Sequence, residues 1–168
     1  MIYFTSDNHF SHTNILKYCN RPFNNVKEMN EVMIERWNSR VQPQDIVYHL
    51  GDLSFLNSKG LLQLKQTLNG DIRLLRGNHD RSVTAHIKQG FVVITSGYHT
   101  IEGSKFKLSH YPKKARKVWN LHGHVHCSEY NKNPVSFTGK QINVNVEFWD
   151  YFPISLDRIN KIILTGEV

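Results

Sequence analysis

The sequence predicts an α/β fold with more than one sheet, on three observations. Short apolar runs alternate with helix-spaced apolar patterns through the first half. Short strand-like segments crowd the second half, a change that suggests a second sheet. Several of these runs end in clusters of Gly, Asp, Asn and His.

The elements follow in order. Residues 2–6 read as a buried strand ending at Asp7. Val26, Met29, Met33, Trp37 and Val41 share one helical face, which predicts a helix over 26–41. Asn25 and Glu28, three apart, supply a capping arrangement at its start. Residues 45–50 form a second strand ending at Gly51-Asp52, and a leucine-rich helix over 58–68 stops at Asn69-Gly70. Residues 72–75 make a third strand, running into Gly77-Asn78-His79-Asp80. Strand-like segments then follow at 91–96, 98–101, 106–109 and 118–121, the last leading into His122-Gly123-His124-Val125-His126. Segments 141–146 and 152–154 complete the strands, and Ser155 caps a last helix through 163. With no repeat, linker or low-complexity segment, a single domain over 1–168 is expected.

A chain of 168 residues can bury a core without disulfides or a structural metal. No apolar run approaches the roughly 20 residues that span a bilayer, so no membrane partner is expected. The first residues lack a basic, then apolar, leader. Cys19 and Cys127 cannot build a disulfide framework and suit a reducing cytoplasm. Lys and Arg total 21 against 14 acids, and the net +7 favours anionic partners such as nucleotides or nucleic acid. The ten histidines mostly cluster beside Asp, Asn and Gly, a composition that points to metal chemistry.

Five polar clusters stand at predicted strand ends: Asp7-Asn8-His9, Gly51-Asp52, Gly77-Asn78-His79-Asp80, His110, and Gly123-His124-Val125-His126. Strand ends of α/β sheets are where distant residues converge. Carboxylate oxygen with imidazole nitrogen suits Mn, Fe or Zn better than Ca or Cu(I). Singly, each cluster occurs by chance; five in this order carry weight.

This order of motifs resembles the calcineurin-like metallophosphoesterase superfamily, from residue 7 to residue 126. The neighbourhoods Phe4-Thr-Ser-Asp-Asn-His-Phe-Ser-His12, Tyr48-His-Leu-Gly-Asp52 and Pro153-Ile-Ser-Leu156 resemble its small bacterial and phage branch. The resemblance implies an αββα fold, a two-sheet sandwich flanked by helices, with two divalent metal ions at the strand ends. Manganese is the first expectation, with iron, zinc or nickel as alternatives. Asp7, His9 and His126 would hold one ion, Asn78, His110 and His124 the second, and Asp52 would bridge both. His79 would act on the leaving oxygen, and Asp80 would orient its imidazole. The implied reaction is hydrolysis of phosphate esters by in-line attack of a metal-bridging hydroxide. The Gly-Asp-x-x-Asp-Arg-Gly run of many protein phosphatases is replaced by Gly51-Asp52-Leu-Ser-Phe-Leu56. That departure counts against a protein phosphatase and favours diesterase or nucleotidase activity. A phosphodiesterase on nucleotide or nucleic-acid substrates is the first expectation, with a small-molecule or protein phosphomonoesterase as the alternative.

Other residues stay open on sequence alone. His12 either faces substrate or bonds a backbone carbonyl. Arg21 and Arg81 are candidate phosphate contacts, because a guanidinium can make two parallel hydrogen bonds. His49 and His122 read as supports of the ligands, Cys127 as a buried thiol, and His86 and His99 as surface residues. Lys113-Lys114-Ala115-Arg116-Lys117 is the densest basic run, with Tyr111 and Trp119 available for stacking. A non-catalytic scaffold of the same fold is disfavoured by the complete ligand set. A zinc-finger-like module is excluded by the absence of paired cysteines.

Overall fold

The computed structural model describes residues 1–168 apart from Arg116, Glu129 and Tyr130. Its strands are β1 (Ile2–Thr5), β2 (Ile46–His49), β3 (Asp71–Leu75), β4 (Val92–Ile94) and β5 (Gly97–Ile101). They continue as β6 (Ser104–Leu108), β7 (Trp119–His122), β8 (Val135–Ser136), β9 (Gln141–Asn143) and β10 (Ile154–Ser155). The helices are α1 (Ile15–Tyr18), α2 (Val26–Arg40), α3 (Ser58–Thr67), α4 (Val83–Lys88) and α5 (Leu156–Thr165).

Two five-stranded sheets result, in the orders β10-β1-β2-β3-β4 and β5-β6-β7-β9-β8. In the first, β1 to β4 run parallel and β10 closes the edge antiparallel. In the second, β6, β7 and β9 are parallel, flanked by antiparallel β5 and β8. The expected two-sheet sandwich flanked by helices is therefore present.

Side-chain alternation assigns the two faces of the first sheet. Tyr3, Val47, Ile72 and Leu74 pack with Met29, Met33 and Trp37 of α2 and Leu61 and Leu64 of α3. Phe4, Tyr48 and Leu75 turn the other way, toward Phe106, Leu108, Leu121 and Ile142 of the second sheet and Ile159 and Ile162 of α5. The caps are those expected. Asn25 accepts the Glu28 amide at 3.0 Å, and Ser155 accepts the Arg158 amide at 3.2 Å.

The structure adds elements that the sequence reading passes over: α1, α4, β8 and a 3-10 turn over Val146–Phe148. That turn ends the expected strand early. Asn143 Oδ1 accepts the Asn145 amide and Asn145 Oδ1 accepts the Glu147 amide, so two side chains bend the chain out of the sheet. His86 is a correction. It is buried on the inner side of α4, edge-on to Phe91 at 5.7 Å, rather than on the surface.

Phe4 joins the two sheets, with ring centroids 5.3 Å from Tyr48 and 6.3 Å from Phe106. Phe4→Ala is expected to cost about 3–5 kcal/mol and to lower the thermal midpoint by about 10 °C, read by a circular-dichroism melt.

Candidate metal centre

The first two motif loops are zipped together just past their parallel strands. The amides of Asp7, His9 and Phe10 donate to the carbonyls of Gly51, Asp52 and Leu53 at 2.9–3.0 Å. To turn there, Asp7, His9, Asp52 and His124 take φ values of 57°, 53°, 57° and 66°. Non-glycine residues rarely occupy this region, and such conformations cluster at functional sites. Two glycines make room. A Cβ on Gly77 would run into the Asp52 carboxylate, and one on Gly123 into the Asp7 carboxylate and the Ser6 hydroxyl.

The resulting cluster is rich in acceptors. Asp7, His9 and His126 each offer one ligand atom within 4.8 Å of the others, and so do Asp7, Asp52 and His110. Asp52 Oδ2 lies 3.6 Å from His9 Nε2 and 3.4 Å from His110 Nε2. Asn78 Oδ1 lies 2.8 Å from His110 Nε2 and 3.1 Å from His124 Nδ1. His110 Nδ1 faces the Leu50 carbonyl at 2.9 Å, a group that can only accept, so Nδ1 carries a proton and Nε2 is the nitrogen turned to the cluster, a lone pair whenever the ring is neutral. Asp7 Oδ1 and both ring nitrogens of His9 are buried without a hydrogen-bond partner.

These acceptors facing one another fit divalent cations, because buried polar atoms otherwise need partners. Titration is divided. His110 and His126 are raised despite their burial, His110 by Asp52 and Asp7 and His126 to about 10 by its hydrogen bonds and by Glu147 and Asp7, so a cation would have to displace their protons. Asp7 and His9 instead shift toward their neutral forms. Burial pushes the Asp7 carboxyl up to about 6, and burial drives His9 down to about 2, so its imidazole is the neutral form a metal requires. Burial raises Asp52 too, but the hydrogen bonds and positive charge around it, from His110, the His79 amide and His9, together hold it down at about 2.

The sequence profile of calcineurin-like phosphoesterases matches residues 1–166. The chain belongs to this family. It is thus a metal-dependent phosphoesterase, a hydrolase of phosphoric esters. It is 43% identical to an uncharacterized protein of Methanocaldococcus jannaschii over 174 residues, covering 99% of this chain and 93% of that protein. It is 24% identical to the gene 66 protein of Mycobacterium phage L5 over 196 residues, covering 96% of this chain and 93% of that one. A crystal structure of a protein of unknown function from Aquifex aeolicus shares 32% identity and a TM-score of 0.78, over 97% of this chain and 99% of that one. Among the described residues no helix is long and apolar enough to cross a membrane.

Three expectations for this phosphoesterase change. Asp80 does not orient His79. Its buried carboxylate accepts the amides of Asp52, Leu53 and Gly77 at 2.7–2.8 Å, clamping the second motif to the third. Arg21 is not an exposed phosphate contact. It is buried, donating to Glu147 Oε1 at 2.9 Å and to the carbonyls of Asn8 and Asp7 at 2.8 and 2.6 Å. Cys127 is half-buried, and its amide donates to Glu147 Oε2 at 2.9 Å.

Glu147 itself was not legible in the sequence. Its Oε1 lies 2.9 Å from His126 Nδ1, so it fixes which nitrogen of His126 faces the cluster. No local motif marks it; only the chain's path brings it there. Among the other candidates, His79 is exposed, with its amide on Asp52 Oδ1 at 2.8 Å and its ring 5.5 Å from that of His9. His12 stacks on half-exposed Phe55 at 3.9 Å, on the same rim as His79. Arg81 is exposed and His99 is partly exposed. His122 is buried against the Gly123 carbonyl. Of the basic run, Arg116 lies outside the described residues.

His49 is buried beneath the loops, its Nε2 2.9 Å from Asn8 Oδ1 and its Nδ1 accepting the Gly51 amide at 3.2 Å. Burial pushes its pKa down to about 3. A histidine depressed in the folded state is protonated first in the unfolded chain, so its contribution to stability is lost as pH falls below about 6.5. Between that pH and about 3 the unfolded chain binds one more proton at His49 than the folded protein does, so stability falls steadily with pH there. Thermal melts from pH 7 to pH 4 should show this acid limb, and His49→Asn should flatten it.

Proposed function

We propose that this phosphoesterase is a phosphodiesterase acting on nucleotides or nucleic acid, built as one domain and working in the cytoplasm. Asp7, His9 and His126 would hold one divalent ion; Asn78, His110 and His124 would hold a second; Asp52 would serve both. The observation that carries the two-ion reading is the packing of Asp7, His9 and Asp52 side by side, with Asp7 Oδ1 and both His9 ring nitrogens buried without a hydrogen-bond partner and Asp52 Oδ2 facing His9 and His110. Carboxylate and imidazole together suit manganese, with iron, zinc or nickel able to use the same donors. When bound, two such ions clamp the phosphoryl oxygens, offset charge gathering on them and generate a nucleophile from water.

The side chains supply the rest. His79 stands exposed over the cluster while its backbone is tied to Asp52, so its imidazole can hand a proton to the departing oxygen. Asp80 keeps that backbone in place through Gly77 rather than through the imidazole. Exposed Phe55 with stacked His12 offers a flat surface beside His79, where a base or other planar group can lie. Arg81, on the same loop as His79, remains the candidate phosphate contact.

Metal-stripped protein given Mn²⁺, Ni²⁺, Zn²⁺ or Mg²⁺ separately should hydrolyse a chromogenic phosphodiester faster than its monoester. A clear monoester preference would replace the diesterase reading with a phosphatase. Asp52→Asn is expected to abolish turnover and to weaken occupancy of both ions, measured by metal analysis. His79→Ala should keep both ions and lower kcat by about 10²–10⁴-fold. Loss of metal from that variant would make His79 a ligand instead.

A further inference from the structure

Strand β6 ends in the metal cluster, since Leu108 is followed directly by Ser109 and His110. Its inward residues, Phe106 and Leu108, are core; Lys105 and Lys107 point the other way. The run from Lys105 to His110 covers about 17 Å of extended chain. Beside it on β5, opposite Lys107, stands Tyr98, 60% exposed. The ammonium groups of Lys105 and Lys107 lie 5.2 and 5.8 Å from its ring centroid. A loop carrying Lys113, Lys114 and Lys117 is laid against the same strands. The Lys113 amide donates to buried Asn120 at 2.7 Å, and Lys107 Nζ donates to the Lys114 carbonyl at 3.3 Å. Tyr98, Lys105, Lys114, Lys117 and Val118 line a cavity of about 370 Å³.

The charge is one-sided. From residue 97 to residue 120 the sequence holds five lysines and Arg116 against a single acid, Glu102. At the end of the strand nearest the cluster, exposed Tyr111 lies across His124, with ring centroids 4.3 Å apart. Aromatic rings set among cations along a path are the means by which proteins hold single-stranded nucleic acid without reading its sequence. Stacked bases and neutralised phosphates share the work. Solvated surface lysines alone would not need a fixed loop or an intervening tyrosine.

We propose that the outer surface of β5 and β6, with the loop after His110, is a track for a single-stranded polynucleotide whose end reaches the metal centre. The proposal rests on the phosphodiesterase reading and narrows it to a polymer substrate. Lys105, Lys107 and Lys114 take phosphates; Tyr98 takes a base; Tyr111 takes the base nearest the reacting phosphodiester.

The test is fluorescence anisotropy of a labelled 20-nucleotide oligothymidylate with metal-loaded His79→Ala protein, titrated at several salt concentrations. Replacing Lys105, Lys107 and Lys114 together by Gln in that background should weaken binding at least tenfold. It should also reduce the slope of log K against log salt by about 2, since each lost phosphate contact removes about 0.7. Tyr98→Ala should weaken binding several-fold with the slope unchanged, because stacking releases no counterions. With His79 in place, the lysine and tyrosine variants should hydrolyse the small chromogenic diester at the parental rate, which also verifies their fold. Unchanged affinity and slope in the lysine variant would overturn the track, as would equal affinity for a duplex of the same length. Failure to bind the oligonucleotide while the small diester is hydrolysed removes the track and leaves the esterase. Binding through the track with no ester hydrolysed under any ion removes the diesterase reading and leaves the track.

Discussion

Two carboxylates, Asp7 and Asp52, are buried side by side at the ends of neighbouring parallel strands, and much of the molecule answers that burial. An isolated buried anion costs several kcal/mol, and two close together cost more unless cations or donors meet them. The chain supplies few donors. Asp52 Oδ1 receives one amide and Asp7 Oδ2 another, while Asp7 Oδ1 is left with nothing. His9 shares this shortage, since it is too buried to take up a proton. A site so short of hydrogen is suited to metal ions, and four of its residues hold left-handed backbone.

What the sequence revealed and what it concealed divide along physical lines. The clustered polar residues lie in short motifs because each follows a strand end within a few residues; Asp7, Asp52, Asn78, His110, His124 and His126 were therefore visible as clusters. The strands, α2, α3 and α5 were visible through apolar periodicity and caps. Arg21 and Glu147 were misread or missed because their meaning lies in each other. They are 126 residues apart in sequence and 2.9 Å apart in space, both almost fully buried. Nothing near either residue announces a buried ion pair. Asp80 was found for the right reason, its place in the motif, and given the wrong task. Only the structure shows its oxygens spent on the amides of Asp52, Leu53 and Gly77.

The Arg21–Glu147 pair reaches beyond its own stability. Arg21 holds the carbonyls of Asp7 and Asn8, the stretch that carries the first ligand loop. Glu147 holds His126 and the backbone at Cys127. The guanidinium also lies 5.7 Å from the Tyr151 ring centroid, so a cation–π contact helps to seat it. Burial alone would raise Glu147, yet His126 and Arg21 hold its carboxyl low and ionised. One ion pair thus ties the loop after β1 to the loop after β7.

That tie points to how the centre is assembled. Asp7, His9, Asp52 and Asn78 come from loops of the first sheet; His110, His124 and His126 come from loops of the second. Besides the shared apolar core, polar links join the two halves at this end: the Ser6–Asn145 bridge, the Val146 amide on the Ser6 carbonyl, and the His124 amide on Asp7. Neither sheet alone carries the whole of the proposed ligand set. Ions that need ligands from both halves bind the docked sandwich and not its separated sheets, so their binding free energy adds to the packing of Phe4 against Tyr48 and Phe106. The metal centre is in this sense part of the core, placed where the apolar layer between the sheets gives way to solvent.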